Sequence, residues 1–168
     1  MSETAASRSI LAPFCVGLGI DCGFGGDAVV PHALTMDMPQ PYTKVGGDKQ
    51  ILRGTAENLS GFCDGSLDFI YSSHLLEDWT YIDLVDIIRE WRRVLRVGGR
   101  TITNCPTQAK FLAHCASTGQ PGNDAHKEAD FGLETFRSHV LDKTGPWKEI
   151  FVEPNFGPYS FLLVCEKV

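Results

Sequence analysis

The chain has 168 residues, enough for one domain with a substantial core and too few for two ordinary domains. Hydrophobic residues make up 43% of it and charged residues 21%, as is typical of a soluble globular protein. A net charge of -6 excludes the basic surface that a nucleic-acid backbone requires, and no apolar run is long enough to span a membrane. We therefore predict one cytoplasmic domain whose partner is a small molecule or a protein, with no nucleic acid and no membrane.

Cysteine and histidine spacing favours neither a disulfide framework nor a metal site. The six cysteines form no Cys-x-x-Cys pair, and the five histidines are scattered without the spacing of metal ligands. We expect reduced cysteines, mostly in the core, and no bound metal.

The chain is organised around an apolar run at residues 14–20 that ends in Asp21-Cys22-Gly23-Phe24-Gly25-Gly26-Asp27. This pattern predicts a buried strand that runs into a glycine-rich turn, where the backbone is open to a ligand. Ligands of open α/β sheets bind at such carboxyl strand ends. The charge of Asp21 favours a ligand that carries an ammonium or sulfonium group.

The flanking segments carry weaker patterns. Residues 1–12 show no periodicity and are predicted to be disordered, without a helix before the first strand. Strands are predicted at 34–37, near 50–54 and at 67–72, with only a short turn after the first strand and an irregular loop at 38–47.

The strongest helix pattern covers residues 82–96. Its acids lie near the start and its arginines near the end, which complements the helix dipole and leaves the arginines on a solvated face. We expect Gly98-Gly99 to stop this helix before a strand at 100–105.

The last third of the chain alternates polar and structured segments. Residues 106–130 are predicted to cover the ligand site, with a short helix at 108–117 inside this segment. A helix is predicted at 131–141, and strands at 147–153 and 159–166 are expected to form an antiparallel hairpin at the sheet edge.

In this order the elements resemble the class I S-adenosylmethionine-dependent methyltransferases, in particular the methyltransferase type 11 group. The resemblance runs from residue 16 to about residue 105 and implies a single α/β domain over 1–168. The implied sheet is Rossmann-like and mostly parallel, with an antiparallel C-terminal strand. The motifs that carry it are Asp21-Cys22-Gly23-Phe24-Gly25, the strand-closing Asp37, Gly54-Thr55-Ala56-Glu57-Asn58-Leu59 and the segments 68–78 and 90–99.

The resemblance implies S-adenosyl-L-methionine as cofactor and a small-molecule acceptor. In that family the acid at position 21 faces the cofactor's ammonium group, often through water, and the acid at position 37 accepts hydrogen bonds from the ribose hydroxyls. His74, at the mouth of the fourth strand, is the candidate catalytic base, although a methyl transfer also proceeds by positioning alone. The implied cofactor-binding residues are Asp21, Cys22, Gly23, Gly25, Asp37, Thr55, Ala56, Glu57, Ser72 and Ser73.

Three departures from the family pattern change these expectations. The family commonly has an acid where Thr55 stands, so its contact with adenine passes to Glu57 or is lost. The usual Leu-Glu-His is Leu76-Glu77-Asp78 here. The short spacing from the glycine turn to Asp37 implies that the first crossover helix is reduced to about a turn and that the second is a loop.

Other interpretations stay open. Asp21 is also consistent with a residue that caps the turn. Glu57 is consistent with a solvent-exposed acid, and His74 with a residue at the start of a helix. A nicotinamide dinucleotide-binding oxidoreductase fits Gly23 to Ala28 formally, but Asp37 arrives too early for its fingerprint. A degenerate methyltransferase fold that binds a partner is the third hypothesis, and sheet surface exposed by the lost helices makes a homodimer plausible.

Overall fold

The computed structural model describes residues 2–41 and 44–168, and its described strands form one seven-stranded sheet in the order β3-β2-β1-β4-β5-β7-β6. The strands are β1 (Gly19–Cys22), β2 (Leu34–Asp37), β3 (Leu52–Arg53), β4 (Leu67–Ser73), β5 (Leu95–Pro106), β6 (Trp147–Phe156) and β7 (Ser160–Lys167). The α-helices are α1 (Glu3–Leu11), α2 (Tyr81–Val94), α3 (Gln108–Thr118) and α4 (Leu133–His139). Short 3-10 helices cover Ala12–Phe14, Leu76–Asp78 and Leu141–Lys143.

Pairing within the sheet confirms the predicted α/β class. β1 lies parallel between β2 and β4, so that Cys22 is level with both Met36 and Ser72. β4 also pairs parallel with β5. β7 is antiparallel to both β5 and β6, which confirms the predicted C-terminal hairpin with β6 at the edge.

Helix α2 confirms the strongest sequence pattern. The Thr80 side chain caps its start by accepting a hydrogen bond from the Asp83 amide at 3.3 Å. Its apolar face is buried through Trp91 and Val94. The predicted stop at Gly98-Gly99 is wrong, because the chain turns extended at Leu95 and both glycines lie inside β5.

The amino-terminal segment corrects a second expectation. Residues 1–12 were expected to be disordered, whereas α1 begins at Glu3 and buries Leu11 completely. The Ser2 side chain caps the helix by accepting from the Ala5 amide at 2.9 Å. Its inner face includes Thr4 and Ser7, and such small polar residues carry no apolar periodicity in the sequence.

The crossovers follow the trimmed layout that the spacing implied. Between β1 and β2, residues 23–33 form turns and bends, and the described residues between β2 and β3 include no helix. α1 and the turn segment cover this face of the sheet instead. Its buried apolar residues are Leu11, Cys15, Val29, Val30, Ala33, Phe69, Tyr71, Ile102, Leu162 and Val164.

The opposite face is covered by α2 and α4, which share one larger cluster centred on Trp91. α4 begins at Leu133, two residues later than the predicted helix at 131–141.

Within residues 2–41 and 44–168, no helix has both the length and the apolarity needed to cross a bilayer.

Replacing Leu11 tests whether α1 is part of the core. Leu11→Ala leaves a cavity between α1 and the sheet and should lower the free energy of unfolding by about 3 kcal/mol, measured by urea denaturation. Ser9→Ala, on the exposed side of the same helix, should change it by less than about 0.5 kcal/mol. Equal effects of the two substitutions would mean that α1 contributes no core.

Candidate functional site

One cavity of about 530 Å³ opens at the carboxyl ends of the central strands. It extends from the glycine turn after β1 and the end of β2 to the segment after β4, and α1 closes it from the side. Most of the predicted site residues meet in its wall. They are Cys22, Gly23, Gly25, Asp37, Thr55, Ala56, Glu57, Ser73 and His74.

The glycine turn has the backbone shape that the sequence indicated. Gly23 and Gly25 have φ angles of 68° and 58°, a region that favours glycine. The Gly23 amide donates to the carbonyl of Met36 at 2.8 Å, which ties the turn to β2. A Cβ at Gly23 would lie 2.7 Å from a methyl group of Leu75, so a larger residue would clash with that side chain.

Residues 44–48 brace the turn from outside. The Val45 amide donates to Gly25 O at 2.7 Å, and the Asp48 amide donates to Gly26 O at 2.8 Å. The backbones approach so closely that a Cβ on Gly26 would lie 2.6 Å from the Gly46 carbonyl oxygen. The sequence predicted only an irregular loop at 38–47, of which residues 42 and 43 lie outside the described residues.

Asp37 is a buried carboxylate of the cavity wall, at the end of β2. One oxygen accepts from the Gly25 amide at 3.1 Å and the other from the Met38 amide at 2.8 Å. Each oxygen keeps a further lone pair, so the carboxylate has capacity for two hydroxyl donors.

Two predicted residues lie beneath the cavity and not in its wall. Asp21 lies level with Tyr71 in the strand register, and its side chain accepts from the Val29 amide at 2.6 Å. It therefore anchors the turn segment, which is the alternative that the sequence had left open. Ser72 is completely buried within β4. Successive side chains of a strand point to opposite faces, so not every residue of a motif reaches one cavity.

Burial also changes the charge of Asp21. Desolvation raises the pKa of this carboxyl to about 7, and its second oxygen has no partner within the described chain.

The end of the cavity beside β3 is held by two tryptophans. Trp79 donates its indole N–H to Glu57 at 2.7 Å, and Trp91 donates to the carbonyl of Ala56 at 2.9 Å. Trp91 of α2 and Trp79, just before that helix, thus hold residues 55–57 in place.

His74 occupies the opposite, recessed end. It has a φ of 50°, an uncommon backbone conformation for a residue with a side chain, and its amide donates to Asn104 O at 2.8 Å. Its Nε2 lies 3.1 Å from the hydroxyl of Ser160. Burial lowers the pKa of His74 to about 4, so the ring is neutral at pH 7.

Sequence reasoning missed the partners of His74. Glu77 is 1% exposed, and its Oε1 lies 3.5 Å from His74 Nδ1 and 3.8 Å from His126 Nε2. His126 Nδ1 in turn lies 2.6 Å from the side-chain oxygen of Gln108. Glu77 belonged to a family motif, but His126 carries no sequence signal because it is far away in the chain.

The segment after α3 closes the recessed end. Asn123, Ala125, His126 and Lys127 line the cavity together with Phe111 of α3. The Lys127 amide donates to the backbone oxygen of Glu77 at 3.0 Å, which fastens the segment to the end of β4. Among the described residues, no group of three or more histidine, cysteine, aspartate or glutamate residues is arranged to hold a metal ion.

Comparison with known proteins identifies the fold that carries this geometry. A SAM-dependent methyltransferase from Archaeoglobus fulgidus has a TM-score of 0.74 at 14% identity, over 98% of this chain and 92% of that one. Residues 22–103 match the family described as a methyltransferase domain. The chain has the fold of the S-adenosylmethionine-dependent methyltransferases. S-adenosylmethionine is the cofactor that this family and fold imply.

Other solved structures share the methyltransferase fold. A chain from a Haloferax volcanii complex between a methyltransferase activator and a methyltransferase has a TM-score of 0.68 at 13% identity, over 98% of this chain and 89% of that one. A mitomycin 7-O-methyltransferase has a TM-score of 0.68 at 15% identity, over 99% of this chain and 54% of its own. No curated protein matches this sequence. At sequence identities this low, the likeness to these structures shows the fold alone.

The strand ends of the methyltransferase domain fit the implied cofactor. Asp37 has the free lone pairs that two ribose hydroxyls require. The turn at Gly23 and Gly25 presents backbone to the cavity without intervening side chains. Asp21 does not line this wall, and the contact with the cofactor's ammonium group that the resemblance implied, often through water, stays a prediction.

The raised pKa of Asp21 predicts a pH-dependent stability difference. The folded carboxyl is protonated at pH 5 and must ionise in a dry site by pH 8, so its contribution to stability falls as the pH rises through about 7. Asp21→Asn avoids this charge and should gain about 2 kcal/mol relative to the wild type between pH 5 and pH 8, measured by urea unfolding.

Exposed Asp142→Asn is the control and should show no such change with pH. A difference between Asp21→Asn and wild type that stays constant from pH 5 to pH 8 would contradict the raised pKa.

Proposed function

We propose that this protein is an S-adenosylmethionine-dependent methyltransferase that acts on a small-molecule acceptor. The observation that carries the proposal is the continuity of one cavity from the Gly23 turn and Asp37 to the recessed histidine at 74. A cofactor bound at the first end and an acceptor bound at the second would meet inside it.

Each end has a defined role in this proposal. Asp37 would accept hydrogen bonds from the ribose, the glycine turn would approach the methionine part, and Glu57 would lie beside the adenine. Ser73 and His74 would face the acceptor. When bound, the cofactor supplies a methyl group activated by a sulfonium.

The size of the cavity supports a small acceptor. About 530 Å³ is within the range of ordinary small-molecule pockets, and the cofactor itself would fill a large part of it. The mitomycin methyltransferase among the structural neighbours acts on a small molecule by its name. Residues 123 and 125–127 also line the recessed end.

His74 is proposed to act on the acceptor as a neutral imidazole. With a pKa of about 4 it keeps a free lone pair at pH 7, but it holds a proton only weakly. Its main contribution is therefore to orient the acceptor, and positioning supplies most of the rate of an in-line transfer.

A partner-binding role is the second candidate. Val16 and Leu18, next to β1, are 65% and 49% exposed, and one neighbouring structure is a complex with an activator. The homodimer predicted from the sequence remains a prediction, which light scattering on the purified protein tests. A monomer at all concentrations would count against it.

The cofactor is tested by calorimetric titration with S-adenosylhomocysteine, with nicotinamide dinucleotide in parallel. We expect micromolar binding of the first and none of the second, because the cavity joins an acidic residue at the end of β2 to a turn without a following helix. Binding of neither compound would favour the degenerate, partner-binding alternative.

Removal of the ribose acceptor tests the assignment of Asp37. Asp37→Ala should weaken S-adenosylhomocysteine binding about 10- to 100-fold, since hydrogen bonds to a charged group contribute about 1.5–3 kcal/mol. Asp142→Ala removes an exposed carboxylate outside the cavity and should leave the affinity unchanged. Unchanged affinity in Asp37→Ala would remove this residue from the site.

A further inference from the structure

The charges around the cavity are strongly one-sided. Five acidic residues line it, namely Glu3, Asp37, Glu57, Glu77 and Asp78. Among its described lining residues, Lys127 is the only lysine or arginine. Asp37 and Glu57 belong to the proposed cofactor end. The recessed end thus has an excess of carboxyl groups for which the cofactor assignment gives no use.

Glu77 is a carboxyl of the cavity wall with one oxygen that the fold leaves without a partner among the described residues. It is 1% exposed and lies in the cavity wall, and its Oε2 has no hydrogen-bond partner within residues 2–41 and 44–168. A buried polar atom without a partner costs about 1–3 kcal/mol, so its retention points to a ligand that satisfies it.

The titratable neighbours of Glu77 do not supply a positive charge. His74 after β4 and His126 from the cover segment are neutral, because burial lowers the pKa of both rings. Glu3 of α1 and the adjacent Asp78 are acids, and the thiol of Cys105 in β5 is protonated because burial raises its pKa. A cation at Glu77 must therefore come from the ligand.

The orientation of His126 adds to this picture. The side-chain oxygen of Gln108 accepts, so His126 Nδ1 carries the hydrogen and Nε2 keeps its lone pair toward Glu77. Glu77 and His126 thus present two acceptors to the same point. A ligand group with several N–H donors matches them, and a hydroxyl with one donor does not.

Aromatic rings complete the recessed end. Phe111 lines the cavity with its ring centre 4.8 Å from that of His126. Aromatic faces attract cations electrostatically, which is favourable where water is excluded.

We propose that Glu77 binds the ammonium group of the acceptor, and that the protein methylates a small amine on nitrogen. This inference rests on the proposed function. His74 and His126 flank the nitrogen, and Phe111 contacts the adjoining carbon skeleton.

The chemistry balances with Glu77 as proton acceptor. Binding of the ammonium group first ionises Glu77, whose proton leaves to solvent. One proton then passes from the ammonium nitrogen to the Glu77 carboxylate, and the freed lone pair forms the new N–C bond while the methyl–sulfur bond breaks and its electrons remain on sulfur. The product is a methylammonium, and the proton on Glu77 returns to solvent. Burial raises the pKa of Glu77 well above its ordinary value, which lets it take a proton that a weakly basic imidazole does not hold.

The test compares matched pairs of amines and alcohols in the presence of saturating S-adenosylhomocysteine. The probes are benzylamine, phenethylamine and tryptamine with benzyl alcohol, 2-phenylethanol and tryptophol, titrated by calorimetry at pH 7 in buffers of different ionisation enthalpy. We expect at least one amine to bind ten times more tightly than its alcohol, with release of about one proton per amine bound, because the bound ammonium group ionises the protonated Glu77 and that proton leaves to solvent.

Glu77→Gln keeps the shape of the side chain and should reduce the preference for the amine below threefold. Its S-adenosylhomocysteine affinity, within threefold of wild type, shows that the variant is folded. Asp124→Asn removes an exposed acid of the cover segment and should retain the full preference. Where Glu77→Gln does not fold, the proton count on the unmodified protein still decides, since only a protonated carboxyl or amine inside the site releases one.

The outcomes separate the two proposals. Failure of the wild type to bind S-adenosylhomocysteine overturns the proposed function. Normal S-adenosylhomocysteine binding without any amine preference, or without proton release, overturns the amine assignment and leaves the methyltransferase proposal in place.

Discussion

The parallel register of β1 with β2 on one side and β4 on the other is the constraint on which the structure depends. Because Cys22 is level with Met36 and Ser72, the carboxyl ends of three strands meet at one edge of the sheet. The strand order reverses at β1, and a crevice opens at such a switch point. Asp37 and His74 therefore lie in the same cavity although separate elements carry them. Strand order thus determines where the cavity lies, and the side chains determine its chemistry.

A sheet with so few crossover helices needs another cover on its second face. α1 supplies it with Leu11 on the apolar side and with a buried polar contact in which Asn104 donates to Ser7 at 3.3 Å. The same helix starts at the cavity, where Glu3 accepts from the Tyr159 hydroxyl at 2.7 Å. Core formation and closure of the site are thus coupled through one short helix, while the brace at 44–48 holds the glycine turn that a crossover helix would otherwise support.

Burial sets the chemistry of the recessed end. The same removal of water that keeps His74 neutral also raises the pKa of Glu77, so burial disfavours the charged form of both side chains. In the proposed amine complex, a positively charged ligand would favour the ionised form of Glu77, because it would supply the partner that this carboxyl lacks within the described chain. Such a site is selective by electrostatics more than by shape, since an uncharged analogue of equal size leaves the carboxyl uncompensated.

The sequence by itself determined the sheet strands, the α2 helix, the glycine turn and Asp37, because each depends on local periodicity or on backbone conformations that few residues adopt. It also indicated the missing crossover helices, because few residues separate the glycine turn from Asp37. Tertiary structure decided the rest. α1 is held by burial of Thr4 and Ser7, which look like solvated residues in one dimension. Glu77 and His126 meet only because the chain between them folds back across β4, and no local pattern records a contact between residues so far apart in the chain.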